Sequence, residues 1–425
     1  MHAWNRPLLP RLPGDGVLPL LFDTVSQALV EARPDPAHPG VASIYVCGIT
    51  PYDATHLGHA STYLAFDSLI RLWIDAGLEV RYVQNVTDVD DPLLERAARD
   101  GVDWRQLAAE QVQLFRSDME RLRIVPPDEY VGVTEVVPAV GDAVARLESS
   151  GAAYRVESAD AEPDVYFDST LSLPAWSLGD ESRLDAATML ALSAERGGDP
   201  DRAGKRHPLD PLLWRSERSG EPAWDSAVGR GRPGWHIECS VIALEHLPMP
   251  LTVNGGGSDL VFPHHEFSAG HAAALTGHAL SDIYSHSGMV AYQGEKMSKS
   301  LGNLVLVSRL AAAGVDPRVI RLALLSEHYR SDWEWFDSHL DAARERLDSW
   351  RAWAADASLC SLSSGTPSSD HSDSAFVDRL RSILANDLDT PGALAVIDSR
   401  IVDGPPATPL LIDAIDALLG IPLVD

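Results

Sequence analysis

A strand-helix-strand unit near the N-terminus limits the fold more than any other feature of the sequence. Residues 43–48 read SIYVCG, a short apolar run typical of a buried strand. Residues 57–76 carry apolar side chains at helical spacing and precede Gly77, a residue type that commonly ends a helix. A second strand is predicted at residues 79–84 (EVRYVQ). A unit of this length is typical of a parallel crossover, so we expect an α/β fold with a Rossmann-type sheet.

Composition changes along the chain predict four segments. Strand-like runs resume near residues 250–253 and 282–285, after a long interval of charged, Gly-rich and Pro-rich sequence. We therefore expect the first half of a nucleotide-binding domain at 1–125, an inserted subdomain at 126–230, the second half of the nucleotide-binding domain at 231–315 and a helical bundle at 316–425. Helices of that last segment are predicted at 319–325, 333–355, 376–384 and 410–419, with a Ser-rich surface loop at 358–374.

The net charge is strongly negative. The chain has 425 residues, with 34 Lys and Arg against 62 Asp and Glu, which gives −28 at pH 7. Such a surface repels phosphate backbones and anionic membranes, so we expect neither nucleic acid nor membrane as a partner. We also expect a cytoplasmic protein, because the N-terminus lacks a secretory signal and no apolar run approaches the roughly 20 residues that span a bilayer.

Cysteine is rare, which excludes a disulfide framework. The three cysteines are Cys47, Cys239 and Cys360. Cys360 lies in the Ser-rich segment and is assigned no role. Cys47 and Cys239 each have to be judged as a metal ligand, a catalytic group or an inert core residue.

The segment TPYDATHLGH at residues 50–59 leads from the first strand into the first helix. A helix N-terminus presents unpaired N–H groups to an anion, and Gly58 allows a ligand to approach the backbone. His56 and His59, one turn apart, could donate hydrogen bonds to phosphate oxygens. Capping or core histidines would explain the same pair equally well.

Lysine occurs only at positions 205, 296 and 299, and two of these lie in the segment KMSKS at 296–300. In a chain that otherwise uses arginine, retained lysines indicate a need for a compact ammonium group. Two such groups on a loop between Gly294 and Gly302 would suit the charge on a departing pyrophosphate. The alternative is an exposed basic turn.

Together HLGH and KMSKS resemble the HIGH and KMSKS motifs of class I aminoacyl-tRNA synthetases. The resemblance implies activation of an amino acid by ATP, with Mg²⁺ accompanying the nucleotide. It also implies that the catalytic residues are His56, His59, Lys296 and Lys299.

A third group of residues, Cys47, Cys239 and His264, consists of borderline and soft metal ligands. From spacing alone, inert cysteines and a surface histidine are the simpler interpretation, since the thiols are 239 − 47 = 192 positions apart. The surrounding segments, however, resemble cysteinyl-tRNA synthetase. This resemblance implies that the three residues hold one zinc ion per chain, which binds the substrate's thiolate and so selects cysteine over serine without an editing site.

The same resemblance implies a set of residues around the cysteinyl-adenylate and its nucleotide. They are Gly48, Ile49, Thr50, Thr62, Asn85, Val86, Thr87, Trp235, Gly257, Ser258, Asp259 and Val290. Without the resemblance, Trp235 would be a core residue and residues 85–91 a capped turn.

Two features depart from the synthetase. Ser268 occupies the position of a glutamate that serves as a fourth ligand in that family, so we expect three protein ligands. The sequence up to Asp425 also lacks the anticodon-binding portion expected of a tRNA enzyme.

The segments ITPYDATHLGH (49–59), NVTDVDDP (85–92) and ERGGDP (195–200) resemble the cysteine ligases of mycothiol biosynthesis. That family joins cysteine to the amine of glucosaminyl-inositol and releases AMP and pyrophosphate. The resemblance implies L-cysteine, ATP and glucosaminyl-inositol as the small-molecule partners of a monomeric enzyme. The alternatives are a truncated cysteinyl-tRNA synthetase and an inactive adenylate-binding sensor. The sequence identifies neither the acceptor-binding residues nor a general base.

Overall fold

The structure is a computed structural model that describes residues 1–52, 55–159, 161–297, 303–360 and 371–424. Lys299 lies outside the described residues, as do positions 361–370 of the predicted Ser-rich loop. No helix in these ranges is both long and apolar enough to cross a membrane.

The described residues form sixteen strands and thirteen α-helices. The strands are β1 (Leu20–Asp23), β2 (Ala28–Glu31), β3 (Val41–Ile49), β4 (Glu79–Val86), β5 (Glu129–Gly132), β6 (Ala153–Val156), β7 (Asp164–Phe167), β8 (Ser172–Leu173), β9 (Trp176–Ser177), β10 (Leu212–Ser216), β11 (Gly231–Pro233), β12 (Leu251–Gly257), β13 (Ser281–Ser287), β14 (Val290–Tyr292), β15 (Glu295–Lys296) and β16 (Trp333–Trp335). The helices are α1 (Leu57–Asp75), α2 (Asp91–Asp100), α3 (Trp104–Arg121), α4 (Val133–Ser150), α5 (Ala186–Glu195), α6 (Trp235–His246), α7 (Glu266–Thr276), α8 (Val307–Ala312), α9 (Pro317–Leu325), α10 (Ser338–Cys360), α11 (His371–Leu384), α12 (Thr390–Asp403) and α13 (Pro409–Leu419).

A five-stranded parallel sheet organises the chain, with strand order β13-β12-β3-β4-β5. β3 pairs with β4 in parallel, from Val41 opposite Glu79 to Ile49 opposite Val86. The predicted strand-helix-strand unit and the α/β fold class are therefore confirmed. α1 connects the two strands, and Gly77 follows it at φ +78°, in the left-handed region that favours glycine.

A smaller antiparallel sheet, of order β11-β10-β7-β6, lies between the two halves of the large sheet in the sequence. Its strands come from residues 153–233, inside and just beyond the segment predicted as an insertion. β5 follows the predicted boundary at residue 125 but pairs with β4 in the large sheet. The four-segment division stays a prediction. Strand β5 belongs to the large sheet although it lies in the segment predicted as the insertion.

The C-terminal region is helical, as predicted, but its elements differ from the predicted ones. Helix α12 was not predicted, and α10 and α11 extend into the two ends of the predicted Ser-rich loop, to Cys360 and from His371. Residues 333–335, expected to begin a helix, form strand β16, and α10 begins only at Ser338. The reason is that β14 pairs with β15 along one edge only, and β16 pairs with its other edge. Trp333 lies opposite Val290 in this pairing. Trp335 of the same strand is buried.

A buried ion cluster fixes the C-terminal helices to α1. The carboxylate of Asp67 pairs with Arg71 at 2.7 Å and with Arg321, and all three side chains are fully enclosed. Arg321 also donates to the carbonyl of Leu419 at 2.6 Å, and Asp67 accepts from the N–H of Val125 at 2.8 Å. Burial alone would raise the pKa of Asp67, but the two guanidinium groups hold it below its ordinary value.

Replacing Asp67 by asparagine should lower the free energy of unfolding by about 3–5 kcal/mol, because two buried guanidinium groups would lose their counter-charge. Denaturant unfolding at pH 7 measures the change. Asp348→Asn, an exposed substitution on α10, is the control and should stay within about 0.5 kcal/mol of the parent. Since the pKa of Asp67 is lowered by folding, its contribution is present at neutral pH and is lost as the pH falls below about 4. Equal stability of the two variants would contradict this role.

Candidate active site and metal centre

A cavity of about 380 Å³ opens at the carboxyl ends of β3, β12 and β13. In open parallel sheets this edge is where ligands bind, because the loops that leave the strands converge there. The residues predicted for the site that line the cavity are Cys47, Gly48, Ile49, Thr50, His56, His59, Thr62, Trp235, Gly257, Asp259 and Val290. Tyr52, Tyr63, Met289 and Leu304 also line it and were not predicted.

The end of β3 needs glycine at position 48. A Cβ atom there would lie 1.6 Å from the carbonyl oxygen of Asn85 in the neighbouring strand. The N–H of Gly48 donates to the side-chain oxygen of Asn85 at 2.7 Å, and the Asn85 amide donates to Thr87 at 3.1 Å. Asn85, Val86 and Thr87 do not line the described cavity. Asn85 instead supports its wall from behind.

His56 caps the helix that faces the cavity. Its Nδ1 atom accepts hydrogen bonds from the N–H groups of Gly58 and His59, at 3.1 and 3.4 Å. The two imidazole rings of His56 and His59 stack with centroids 3.8 Å apart. Capping and anion binding are therefore compatible, because a ring that accepts at Nδ1 carries its proton on Nε2, from which it can donate.

Cys47, Cys239 and His264 are brought together although 217 positions separate the first from the last in the sequence (264 − 47). Their candidate ligand atoms all lie within 4.8 Å of one another, and all three side chains are buried. The Nε2 atom of His264 lies 3.2 Å from Sγ of Cys239. The cluster can hold a metal ion, and it meets the cavity at Cys47.

Two further histidines, which sequence analysis did not identify, surround the cluster. Nδ1 of His236 lies 3.1 Å from Nδ1 of His264, and Nε2 of His265 lies 3.2 Å from Sγ of Cys47. Burial lowers the pKa of both His236 and His265 well below the ordinary value, so both rings are neutral. Groups in this position orient the ligands of a metal. In the sequence, the only indication of their role is that His236 follows Trp235 and His265 follows His264. Such adjacency does not show that a side chain contacts the cluster.

The two thiols differ in acidity. Burial opposes ionisation of Cys239, but its hydrogen bond with Cys47 and the charge of His264 bring its pKa well below the ordinary value. Burial, followed by the neighbouring Cys239, raises the pKa of Cys47. Cys239 is therefore the more readily ionised of the two, and metal binding requires the thiolate.

Ser268 lies beside the cluster but has other partners. Its hydroxyl donates to the carbonyl of His264 at 2.7 Å and lies 3.2 Å from the carbonyl of His236. The Ser268 hydroxyl is thus occupied by one backbone carbonyl four residues earlier in the chain and by one on α6. The expectation that Ser268 is not a ligand remains a prediction.

Trp235 is the first residue of α6 and covers the cluster, with its ring centroid 4.4 Å from that of His264. Ser258, predicted near the nucleotide, does not line the described cavity, whereas its neighbours Gly257 and Asp259 do. The backbone of Lys296 pairs with Ala291 in a short hairpin, and Met297 lines the cavity. The KMSKS segment thus begins at the cavity's edge.

The fold and the site define a class I synthetase catalytic domain. The family described as "tRNA synthetases class I (C) catalytic domain" matches residues 34–345. A methionyl-tRNA synthetase of Mycobacterium tuberculosis, solved with methionyl-adenylate, shares the fold with a TM-score of 0.62 at 17% identity. The alignment covers 85% of this chain and 82% of that structure.

Curated relatives with higher identity define a narrower family. The chain is 63% identical to a protein of Clavibacter michiganensis over 100% of this chain and 99% of the relative. It is 55% identical to a protein of Kribbella flavida over the full length of both. Each is named L-cysteine:1D-myo-inositol 2-amino-2-deoxy-alpha-D-glucopyranoside ligase, and the chain belongs to their family.

Replacing Cys239 by serine should remove tightly bound metal, because a hydroxyl is a much poorer ligand than a thiolate for soft and borderline ions. Elemental analysis of the purified protein, with one metal ion per chain expected for the parent, provides the measurement. Ser268→Ala and Cys360→Ser are the controls and should keep the parent's metal content. Retention of metal by Cys239→Ser, or its loss from Ser268→Ala, would contradict the three-ligand assignment.

Proposed function

We propose that the chain is an ATP-dependent ligase that activates L-cysteine as cysteinyl-adenylate. It then transfers the cysteinyl group to the amine of glucosaminyl-inositol, in mycothiol biosynthesis. The names of full-length relatives at 55–63% identity support this activity. The structural observation that carries it is the buried Cys47, Cys239 and His264 cluster at one end of a cavity headed by the N-terminus of α1.

The donor set of the cluster fits zinc. Bond lengths of about 2.0 Å to nitrogen and 2.3 Å to sulfur place tetrahedral ligand atoms about 3.5–3.8 Å apart. The 4.8 Å upper limit within the cluster and its burial are compatible with that arrangement. When bound, zinc would favour the thiolate form of a substrate cysteine and leave serine bound weakly. His236 and His265 would hold the ligand side chains in place.

The opposite end of the cavity suits the nucleotide. The positive end of the α1 dipole and the rings of His56 and His59 suit phosphate oxygens. The cysteine carboxylate attacks the α-phosphorus of ATP, accompanied by Mg²⁺, and pyrophosphate leaves. We assign Lys296 and Lys299 to the charge on that pyrophosphate, from the KMSKS motif.

In the second step the acceptor amine attacks the cysteinyl carbonyl carbon. A C–N bond forms, the bond between the carbonyl carbon and the phosphate oxygen breaks, and AMP leaves with the electron pair. Starting from an ammonium group, two protons are released as the amide forms. The products are the amide and AMP.

Transfer to tRNA is the second candidate activity, because the matched family is named for it. The net charge of −28 opposes this candidate, since RNA binding depends on basic surface. We propose that the enzyme acts as a cytoplasmic monomer on small molecules alone.

The deciding experiment supplies ATP, Mg²⁺ and labelled cysteine, with glucosaminyl-inositol in one reaction and bulk tRNA in another. Mass analysis should find the label on the amino sugar and not on tRNA. Label on tRNA would overturn the proposed acceptor. The absence of cysteine-dependent exchange between ATP and pyrophosphate would overturn adenylation itself.

His59→Ala should lower the rate of cysteine-dependent ATP–pyrophosphate exchange by about 10²–10³-fold, because it removes the imidazole donor from the site of developing phosphate charge. The matched control is His278→Ala, at an exposed histidine that does not line the cavity, which should keep the parent's rate. An exchange rate within threefold of the parent for His59→Ala would contradict the assignment.

A further inference from the structure

A second cavity, here called the side cavity, adjoins the first. It has a volume of about 600 Å³, within the range of about 300–1,000 Å³ usual for small-molecule sites. Thr50, Tyr52 and Trp235 line both cavities, so the two cavities meet at these residues. A molecule in the side cavity would therefore lie next to a molecule in the first cavity.

The wall of the side cavity includes the segment ERGGDP at 195–200, whose role the adenylation chemistry does not explain. Arg196 fixes this wall to the first cavity by donating to the carbonyl of Asp259 at 2.5 Å and to that of Phe262. The loop also packs closely on itself, since a Cβ atom at Gly198 would lie 2.7 Å from the carbonyl oxygen of Ser193. The wall is thus held in a defined position beside the nucleotide site.

The charged groups around the side cavity are mostly paired with one another. Arg232 pairs with Asp91, and Arg202 pairs with Asp164 at 2.6 Å. Three carboxylates of the lining, Asp90, Glu195 and Asp210, have no ion pair within the described part of the chain. Asp210 is occupied by hydrogen bonds from the hydroxyl of Ser169 at 2.7 Å and the N–H of His207 at 2.8 Å. Asp90 accepts one hydrogen bond, from the N–H of Asp91 at 2.8 Å. Asp90 and Glu195 are therefore left to bind a ligand.

Asp90 lines the side cavity and interacts electrostatically with His264 of the metal cluster. Burial raises its pKa to about 6, and the charges of Arg232 and His264 oppose that shift. Glu195 ends α5 on the wall formed by the ERGGDP segment. The two carboxylates therefore belong to different elements that border the same space.

We propose that the side cavity binds the acceptor, with Asp90 receiving its ammonium group and Glu195 accepting hydrogen bonds from its hydroxyl groups. This inference rests on the proposed function, in which the acceptor is a polyol that carries one amine. Carboxylates are strong acceptors for both kinds of donor. The partly paired, net acidic lining suits a cationic polyol and repels the phosphates of an RNA end.

The test compares Asp90→Asn and Glu195→Ala with the parent enzyme in the full reaction with glucosaminyl-inositol. The KM for the acceptor should rise about 10- to 100-fold for Asp90→Asn, which removes a charge-assisted hydrogen bond, and about 3- to 10-fold for Glu195→Ala. Cysteine-dependent ATP–pyrophosphate exchange needs no acceptor and reports the first step separately. The rise in KM should exceed any change in exchange rate.

Glu157→Ala is the matched control, since Glu157 is an exposed residue of the same insertion that does not line the side cavity. Its KM for the acceptor should equal that of the parent. An unchanged acceptor KM in both test variants, or equal losses of exchange and transfer, would overturn the inference and leave the proposed function intact. If the parent itself forms no amide with glucosaminyl-inositol, the proposed function fails first.

Discussion

Parallel pairing of β3 with β4 on one side and β12 on the other is the interaction on which the site depends. Parallel strands end at the same edge, so Cys47, the start of α1 and the segment after β12 all meet there. The close contact of Gly48 with Asn85 sets the separation of β3 and β4 at that edge. A larger side chain at position 48 would therefore displace the neighbouring residue Cys47, which belongs to the cluster.

The structure supports the reacting groups from two sides. His236 and His265 contact the cluster residues His264 and Cys47, and the Asp67 cluster joins α1 to the C-terminal helices. His56 and His59 lie at the N-terminal end of α1, so the helix that carries the proposed phosphate donors is also the helix held by the buried ion cluster. Rigid placement of this kind would position a bound nucleotide for attack.

The sequence predicted some of the elements with long apolar patterns, although the long helices α3, α4 and α12 were not predicted, and it missed elements fixed by tertiary contact. α1, β3 and β4 were confirmed because each shows a long apolar pattern. β16 was predicted as helix because three residues are too few to reveal a strand, and only the edge of β14 determines it. The proximity of Cys47, Cys239 and His264 could not be derived from spacing and followed from family resemblance. The contacts of His236 and His265 depend on packing that no local pattern encodes.

The cluster draws its ligands from both sides of the inserted sheet, since Cys47 precedes β6 and the other two ligands follow β11. During synthesis on the ribosome, the thiol of Cys47 emerges 192 residues before Cys239 and 217 residues before His264 (239 − 47 and 264 − 47). The cluster can therefore assemble only after the insertion and strand β12 have been made. Binding of the metal that we propose for this cluster would consequently be a late step in the synthesis of this protein, and the thiol of Cys47 would stay unligated in the nascent chain until then.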